Sequence, residues 1–276
     1  MSVLSERFTL NNGVKIPKVG FGTWQTPDDV APHVVKQALK VGFEHIDTAR
    51  AYGNEAGVGR GLREFGVARD DVFVTTKVPA EYKTYAQAKA SIEKSLAALA
   101  LDHVDLLLIH APKPWPEMFT DTDKTYFDEN VAVWGALEEA YQKGQARSIG
   151  VSNFSIADIE NITGRCKVTP AANQIRFHVG YTEDELVEYC QANGILVEAY
   201  SPIATGRLLD DPSIAVVASH VGRSIAQVCI RYALQKGTLP LPKAIHDEFI
   251  ADDADLDFEL SDDDMAALDA IEEPDD

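Results

Sequence analysis

The feature that most constrains this chain is a rhythm. Short apolar runs stand at KVGFG (18–22), EHID (44–47), VFVTTK (72–77), VDLLLIH (104–110), RSIGVS (147–152), AANQI (171–175), ILVEAY (195–200) and TLPLPK (238–243). Longer segments of helical periodicity fall between them, among them 30–42, 85–101, 131–144 and 225–237. The first of these follows Asp28-Asp29, a good helix start, and stops at Gly42. Strand then helix, repeated eight times, predicts a parallel sheet closed as a (β/α)8 TIM barrel, one domain over residues 1–276. An open doubly wound sheet is the alternative, but no G-x-G-x-x-G follows the first strand. Ahead of the barrel, RFTL and VKIP flank Asn11-Asn12-Gly13 and predict a β-hairpin. Two long loops, 111–130 and 201–224, are expected at the C-terminal face, where barrel active sites lie.

Composition narrows the partners. The 276 residues carry a formal charge of −19, with 44 acids against 25 Lys and Arg, and Asp supplies 25 of the acids. A surface of that sign repels nucleic acid and anionic membranes. Acids spread along the whole chain read as adaptation to high salt, where screening relieves self-repulsion. No apolar run approaches the ~18 residues that span a bilayer, and MSVLSERFTL lacks a basic stretch followed by an apolar one. Cys166, Cys190 and Cys229 form no C-x-x-C pair and no metal-ligand spacing, which fits packed thiols in a reducing cytoplasm.

Polar residues recur at successive strand ends. Asp47 ends the second run, Lys77 the third and His110 the fourth, 30 and 33 residues apart, about one β/α unit each; Tyr52 follows Asp47 in DTARAYGNE. Each alone has a plain structural explanation: a helix cap, a loop aromatic, a solvated charge, a satisfied buried imidazole. Together they converge on one barrel mouth. A phenol titrates near 10, too high for easy proton exchange at neutral pH; a neighbouring ammonium is expected to lower that value, and an aspartate to hold the ammonium charged. A neutral imidazole can orient a carbonyl oxygen. Such a set protonates an oxygen as a hydride reaches its carbon.

With these residues in view, the chain resembles the aldo-keto reductase family. The resemblance rests on GFGTW (20–24), GFEHIDTARAYGNE (42–55), TTK (75–77), DLLLIH (105–110), SIGVSNF (148–154), NQI (173–175), AYSP (199–202) and LPK (241–243), in the family's order along nearly the whole chain. It is closest to bacterial-type members such as diketogluconate reductases. The resemblance implies an NAD(P)H-dependent reductase of small aldehydes or ketones, monomeric, with Asp47, Tyr52, Lys77 and His110 as its catalytic tetrad. It implies that Ser152, Asn153 and Gln174 hold the nicotinamide carboxamide, that Tyr200 stacks on the ring, and that Ser201, Pro202, Ile203 and Thr205 lie along the pyrophosphate. GFGTW implies cofactor contacts at Gly22 and Thr23, with Asp47 alongside, and a substrate contact at Trp24. Tyr52, His110 and Ala111 complete the substrate side.

Several positions depart from the family pattern. Ala111 stands where Trp is common, Arg176 and Val179 where the segment after NQ usually carries Glu and Pro, and the chain ends soon after its last helix, at IEEPDD. An open pocket with fewer aromatic walls is expected. At the adenosine end Lys243 is kept, but Ala244 replaces a Ser, Phe249 an Arg, His246 a small hydroxyl residue, and Asp252-Asp253 the closing Glu-Asn pair. Phenylalanine cannot supply the multi-donor grip of arginine on a 2′-phosphate, so a modest NADPH preference with usable NADH is expected. Two other readings stay open here: a Schiff-base aldolase using Lys77 on the same barrel, and a catalytically silent nicotinamide-binding protein.

Overall fold

The computed structural model describes residues 2–118, 120 and 124–273. Residues 119 and 121–123 of the 111–130 loop and 274–276 of the acidic end lie outside the described residues. Strands β1 (Arg7–Thr9) and β2 (Lys15–Pro17) form the antiparallel hairpin, with Phe8 opposite Ile16. Eight parallel strands follow: β3 (Phe21–Gly22), β4 (His45–Asp47), β5 (Phe73–Val78), β6 (Val104–Ile109), β7 (Ala146–Ser152), β8 (Ala172–Arg176), β9 (Leu196–Tyr200) and β10 (Leu239–Leu241). They lie side by side in chain order. The Gly20 and Gly22 amides donate to the Pro240 and Pro242 carbonyls at 3.0 and 2.8 Å, which seals β3 against β10.

Strand periodicity explains both the packing and the site. In β6, Leu106 and Leu108 belong to the cluster inside the barrel, while Leu107 and Ile109 belong to the larger cluster beneath the helices. Alternation puts one residue in two on the inner face. Hairpin residues Leu10 and Ile16 join the inner cluster and plug the N-terminal end. At the other end the same alternation turns Asp47, Lys77 and Glu198 inward.

The helices expected at 30–42, 85–101, 131–144 and 225–237 lie at Ala31–Val41, Tyr85–Leu99, Phe127–Gln142 and Ile225–Gln235. Three details differ. Asp28 does not cap the first of these; its carboxylate accepts from the Gly57 amide at 2.6 Å and from Arg60 at 2.8 Å. The loop after β6 contains a helical turn, Trp115–Met118. The segment 201–224 is not a loop throughout: it holds a 3-10 stretch at Ala204–Asp210 and an α-helix at Pro212–Val221. Asp211 caps that helix by accepting from the Ser213 and Ile214 amides, and proline suits its first turn. No single helix among the described residues is long and apolar enough to cross a membrane.

Candidate active site

The tetrad assembles where the strand spacing put it. Lys77 Nζ, fully buried, donates to Asp47 Oδ1 and Oδ2 at 2.8 and 2.6 Å, to the Thr48 carbonyl at 3.0 Å and to the Tyr52 hydroxyl at 3.3 Å. The His110 ring stands edge-on to the Tyr52 ring, 5.4 Å between centroids. Tyr52 ends a one-turn 3-10 helix, Arg50–Tyr52, closed by Gly53 in the left-handed region at φ 71°. Asn54 fixes that turn. Its amide donates to the Thr23 and Thr26 carbonyls at 2.8 and 2.9 Å, and its oxygen accepts from Thr48 at 2.8 Å. Glu55, also buried, accepts from Thr76 at 2.7 Å on the strand that carries Lys77. Neither Asn54 nor Glu55 is conspicuous in the sequence except by following Tyr52.

The electrostatics correct one expectation. Burial of the Tyr52 hydroxyl, aided by the Asp47 charge, holds its pKa above the usual phenol value, and the Lys77 ammonium pulls the other way without winning. Tyr52 therefore holds its proton at neutral pH. Lys77 is raised: burial, the largest single influence, works against its charge, and the attraction and hydrogen bonds of Asp47 and Tyr52 together outweigh it. A charged lysine is the wrong state for Schiff-base attack, which needs a free amine. His110 lies well below the ordinary imidazole range, first through burial and then through Lys77, and is neutral. Its Nδ1 has no partner among the described residues.

A cavity of about 730 Å³ opens above these groups. Asp47, Tyr52 and His110 form its floor, while Lys77 sits behind Tyr52. Trp24 and Trp115 both line it, and the Trp115 ring stands edge-on to His110 at 5.2 Å. Trp115 thus supplies an aromatic wall that the sequence did not indicate. Ala111 is fully buried and does not line the cavity, and the first helical turn of the following loop supplies a tryptophan instead. Thr23 is also buried, its hydroxyl donating to the Asp47 carbonyl at 2.9 Å, so it braces the floor without lining it.

One wall carries Ser152, Asn153, Gln174 and Tyr200, and Gly22 lies opposite. These side chains interlock. Tyr200 donates to Asn153 Oδ1 at 2.8 Å, and Asn153 Nδ2 donates to the His110 carbonyl and to Ser152 Oγ. Gln174 Nε2 donates to Asp47 and to Glu198, both at 2.9 Å. Its amide orientation is thus set by two carboxyl groups, and no described residue donates to its oxygen. That leaves an acceptor for a primary amide such as a nicotinamide carboxamide. Glu198 is a further site residue that the sequence did not disclose. It is fully buried, and burial together with nearby Asp47 pushes its pKa up to about 8.

Ser201, Pro202, Ile203 and Thr205 run along the cavity toward Lys243. Five non-glycine residues with positive φ line it: Gln25, Asn153, Ser201, Ala204 and Thr205. Backbone in that region is costly for residues with a Cβ and collects where a site demands it. The far end differs from its sequence reading. Ala244, His246, Asp252 and Asp253 do not line the cavity. His246 precedes the helix Asp247–Ala254, Asp252 accepts from Ser224 Oγ at 2.5 Å, and Asp253 is buried with its pKa pushed up to about 7. The negative charge at this end is therefore smaller than two adjacent free carboxylates would carry.

The Aldo/keto reductase family model matches residues 18–273. The chain is 41% identical to a glyoxal reductase of Bacillus subtilis over 272 residues, covering 97% of this chain and 93% of that protein. Among solved structures, an aldo/keto reductase from Brucella melitensis superposes with a TM-score of 0.88 at 37% identity, covering 96% of this chain and 97% of that one. A Bombyx mori aldo-keto reductase in complex with NADP gives 0.85 at 34% identity, over 96% and 92% of the two chains. The chain belongs to the Aldo/keto reductase family and is an oxidoreductase.

Proposed function

We propose that the protein reduces small aldehydes and ketones to alcohols, with Tyr52 as the proton donor. When bound, the reduced nicotinamide supplies the hydride; the chain's own residues do the rest. Ser152, Asn153 and Gln174 would hold the carboxamide, Tyr200 the ring, and the 201–205 arm the phosphates. His110, neutral and lining the cavity beside Tyr52, orients the carbonyl oxygen toward Tyr52. As negative charge develops on that oxygen, Tyr52 gives up its proton, because an alkoxide is a far stronger base than a phenolate. Lys77, 3.3 Å from the hydroxyl, stabilises the phenolate left behind, and Asp47 keeps Lys77 charged and in place. The observation that carries this reading is the buried Asp47–Lys77–Tyr52 chain on the floor of a cavity.

Lys243 faces the cavity without a hydrogen-bond or ion-pair partner among the described residues, and Phe249 is exposed where an arginine clamp is common in the family. One charged contact supports only modest discrimination, about tenfold in kcat/KM for NADPH over NADH, or roughly 1.4 kcal/mol. The test is oxidation of each cofactor with one small aldehyde at one salt concentration. Turnover with both cofactors, NADPH ahead by about tenfold, supports the reading; no turnover with either defeats it. A thousandfold NADPH preference defeats the assignment of the phosphate end, and Phe249→Arg should increase the preference. The same reading makes the protein a single-domain monomer of a reducing, cytoplasmic and salt-rich environment, in keeping with three free thiols and the −19 charge.

A further inference from the structure

The open part of the cavity wall runs against the charge of the molecule. In a chain of net charge −19, its charged lining among the described residues, outside the buried Asp47, is Arg176, Arg207 and Lys243. Arg176 ends β8 and Arg207 lies in the 3-10 stretch after β9. Their guanidiniums converge on one atom: Glu273 Oε1 lies 3.1 Å from Arg176 Nη2 and 3.9 Å from Arg207 Nη2. Arg176 is held flat, with its guanidinium carbon 3.7 Å from the centre of the Tyr181 ring. The segment bearing Glu273 is seated on Gly180. That residue has φ 84°, and a Cβ there would come within 2.7 Å of the Glu272 carbonyl. A carboxylate thus already rests between two arginines that line the cavity whose floor is Tyr52 and His110.

We infer that Arg176 and Arg207 form an anion-recognition site at the mouth of the catalytic cavity, which takes the carboxylate of a small aldehyde or keto acid in exchange for the carboxylate of Glu273. Guanidinium forks match carboxylates in shape and charge, and a local cationic patch in an acidic protein concentrates anions at the entrance. The exchange of one carboxylate for another leaves both arginines paired throughout, so neither is left with an uncompensated charge. This inference rests on the reductase reading. It adds the class of substrate.

The experiment compares 4-carboxybenzaldehyde with neutral 4-nitrobenzaldehyde at saturating NADPH and low salt, with the NADPH Kd followed by protein fluorescence. In Arg176→Gln/Arg207→Gln the ratio of kcat/KM, charged over neutral, should fall by about tenfold or more through KM, with the Kd for NADPH within about twofold. Glu273→Gln removes the competing carboxylate and should raise the same ratio about threefold. It keeps the proposal testable if the double variant fails to fold. An unchanged ratio in either variant overturns the inference. So does an equal loss for both aldehydes with weakened NADPH binding, which would assign the arginines to the cofactor's phosphates. A wild-type enzyme that reduces neither aldehyde overturns the reductase reading itself, an outcome distinct from a wild type that reduces both without regard to charge.

Discussion

Asp105 and Asp47 sit at opposite ends of the barrel, one at the start of β6 and the other at the end of β4, with 1% and 3% of their surface exposed. Asp105 is saturated. Arg69 and Arg147 donate at 2.6 and 2.8 Å and the Val74 amide at 2.9 Å, and both arginines reach solvent. It borders a hollow of about 430 Å³ beside the hairpin, lined also by Arg7, Lys15 and Glu44, where the Arg7–Glu44 ion pair ties the hairpin to the barrel. Asp47 is paired with a lysine that has no exposed surface, and the remaining donor capacity of that lysine points at a phenol on a cavity floor. The same ion-pair chemistry holds strands in register at one end and, on the proposed function, sets up proton transfer at the other. The difference lies in where the cation's spare hydrogen bond goes. Barrel enzymes keep stability at the N-terminal face and chemistry at the C-terminal one.

Exchanging the two pairs' fates is the sharpest way to break this comparison. Lys77→Met should lower kcat by at least about 100-fold, since the phenolate loses its ammonium. Asp105→Asn should leave kcat within about twofold but cost roughly 2 kcal/mol of stability, because it unpairs two arginines that water can partly resolvate. Steady-state kinetics and chemical unfolding of both variants decide it. A kinetic defect in the Asp105 variant as large as that at Lys77 would erase the distinction.

A second test concerns Glu198, the acid that shares Gln174 with Asp47. Its folded pKa of about 8 is raised above the ordinary glutamate value. The folded state therefore favours the protonated carboxyl. That contribution to stability is fully present below the unfolded pKa near 4.3 and is lost as pH rises through about 8. Glu198→Gln keeps an acceptor for Gln174 and removes the titration. The variant should lose less stability than wild type between pH 5 and 8, by an amount on the order of a few kcal/mol. Parallel pH-dependent unfolding curves for the two proteins would show that Glu198 is already ionised in the fold.

The site was legible where chemistry coincided with strand ends. Asp47, Lys77 and His110 each close an apolar run, and period two turns them inward, so their convergence followed from spacing alone. The hairpin was equally plain from Asn11-Asn12-Gly13. Trp115 was not legible, because whether a loop tryptophan folds over His110 depends on the path of the turn after Pro114. Glu198 reads as one residue of a strand, and only the closed barrel places it against Gln174 and Asp47. The direction of the Tyr52 pKa also escaped the sequence: the ammonium was visible, but the depth of burial that outweighs it was not. The helix at Pro212–Val221 does carry a signal in the sequence, Asp211-Pro212, an N-cap followed by a first-turn proline.

The smallest expected effect separates surface from interior. Salt should screen the repulsion among exposed acids while leaving the buried Lys77–Asp47 pair nearly untouched. The melting temperature should rise by roughly 5 °C between dilute and molar KCl, with the Tyr52 proton chemistry unchanged. A flat or falling melting temperature would remove the case for salt adaptation drawn from the −19 charge.

The central claim is that the buried charge at the C-terminal mouth exists to make Tyr52 a proton donor. Tyr52→Phe keeps the ring and removes only the hydroxyl. Stopped-flow measurement of single-turnover NADPH oxidation, with the NADPH Kd determined on the same preparation, tests it directly. The account predicts a rate at least about 100-fold below wild type with a Kd changed by less than about twofold. A near-normal rate in that variant would contradict it.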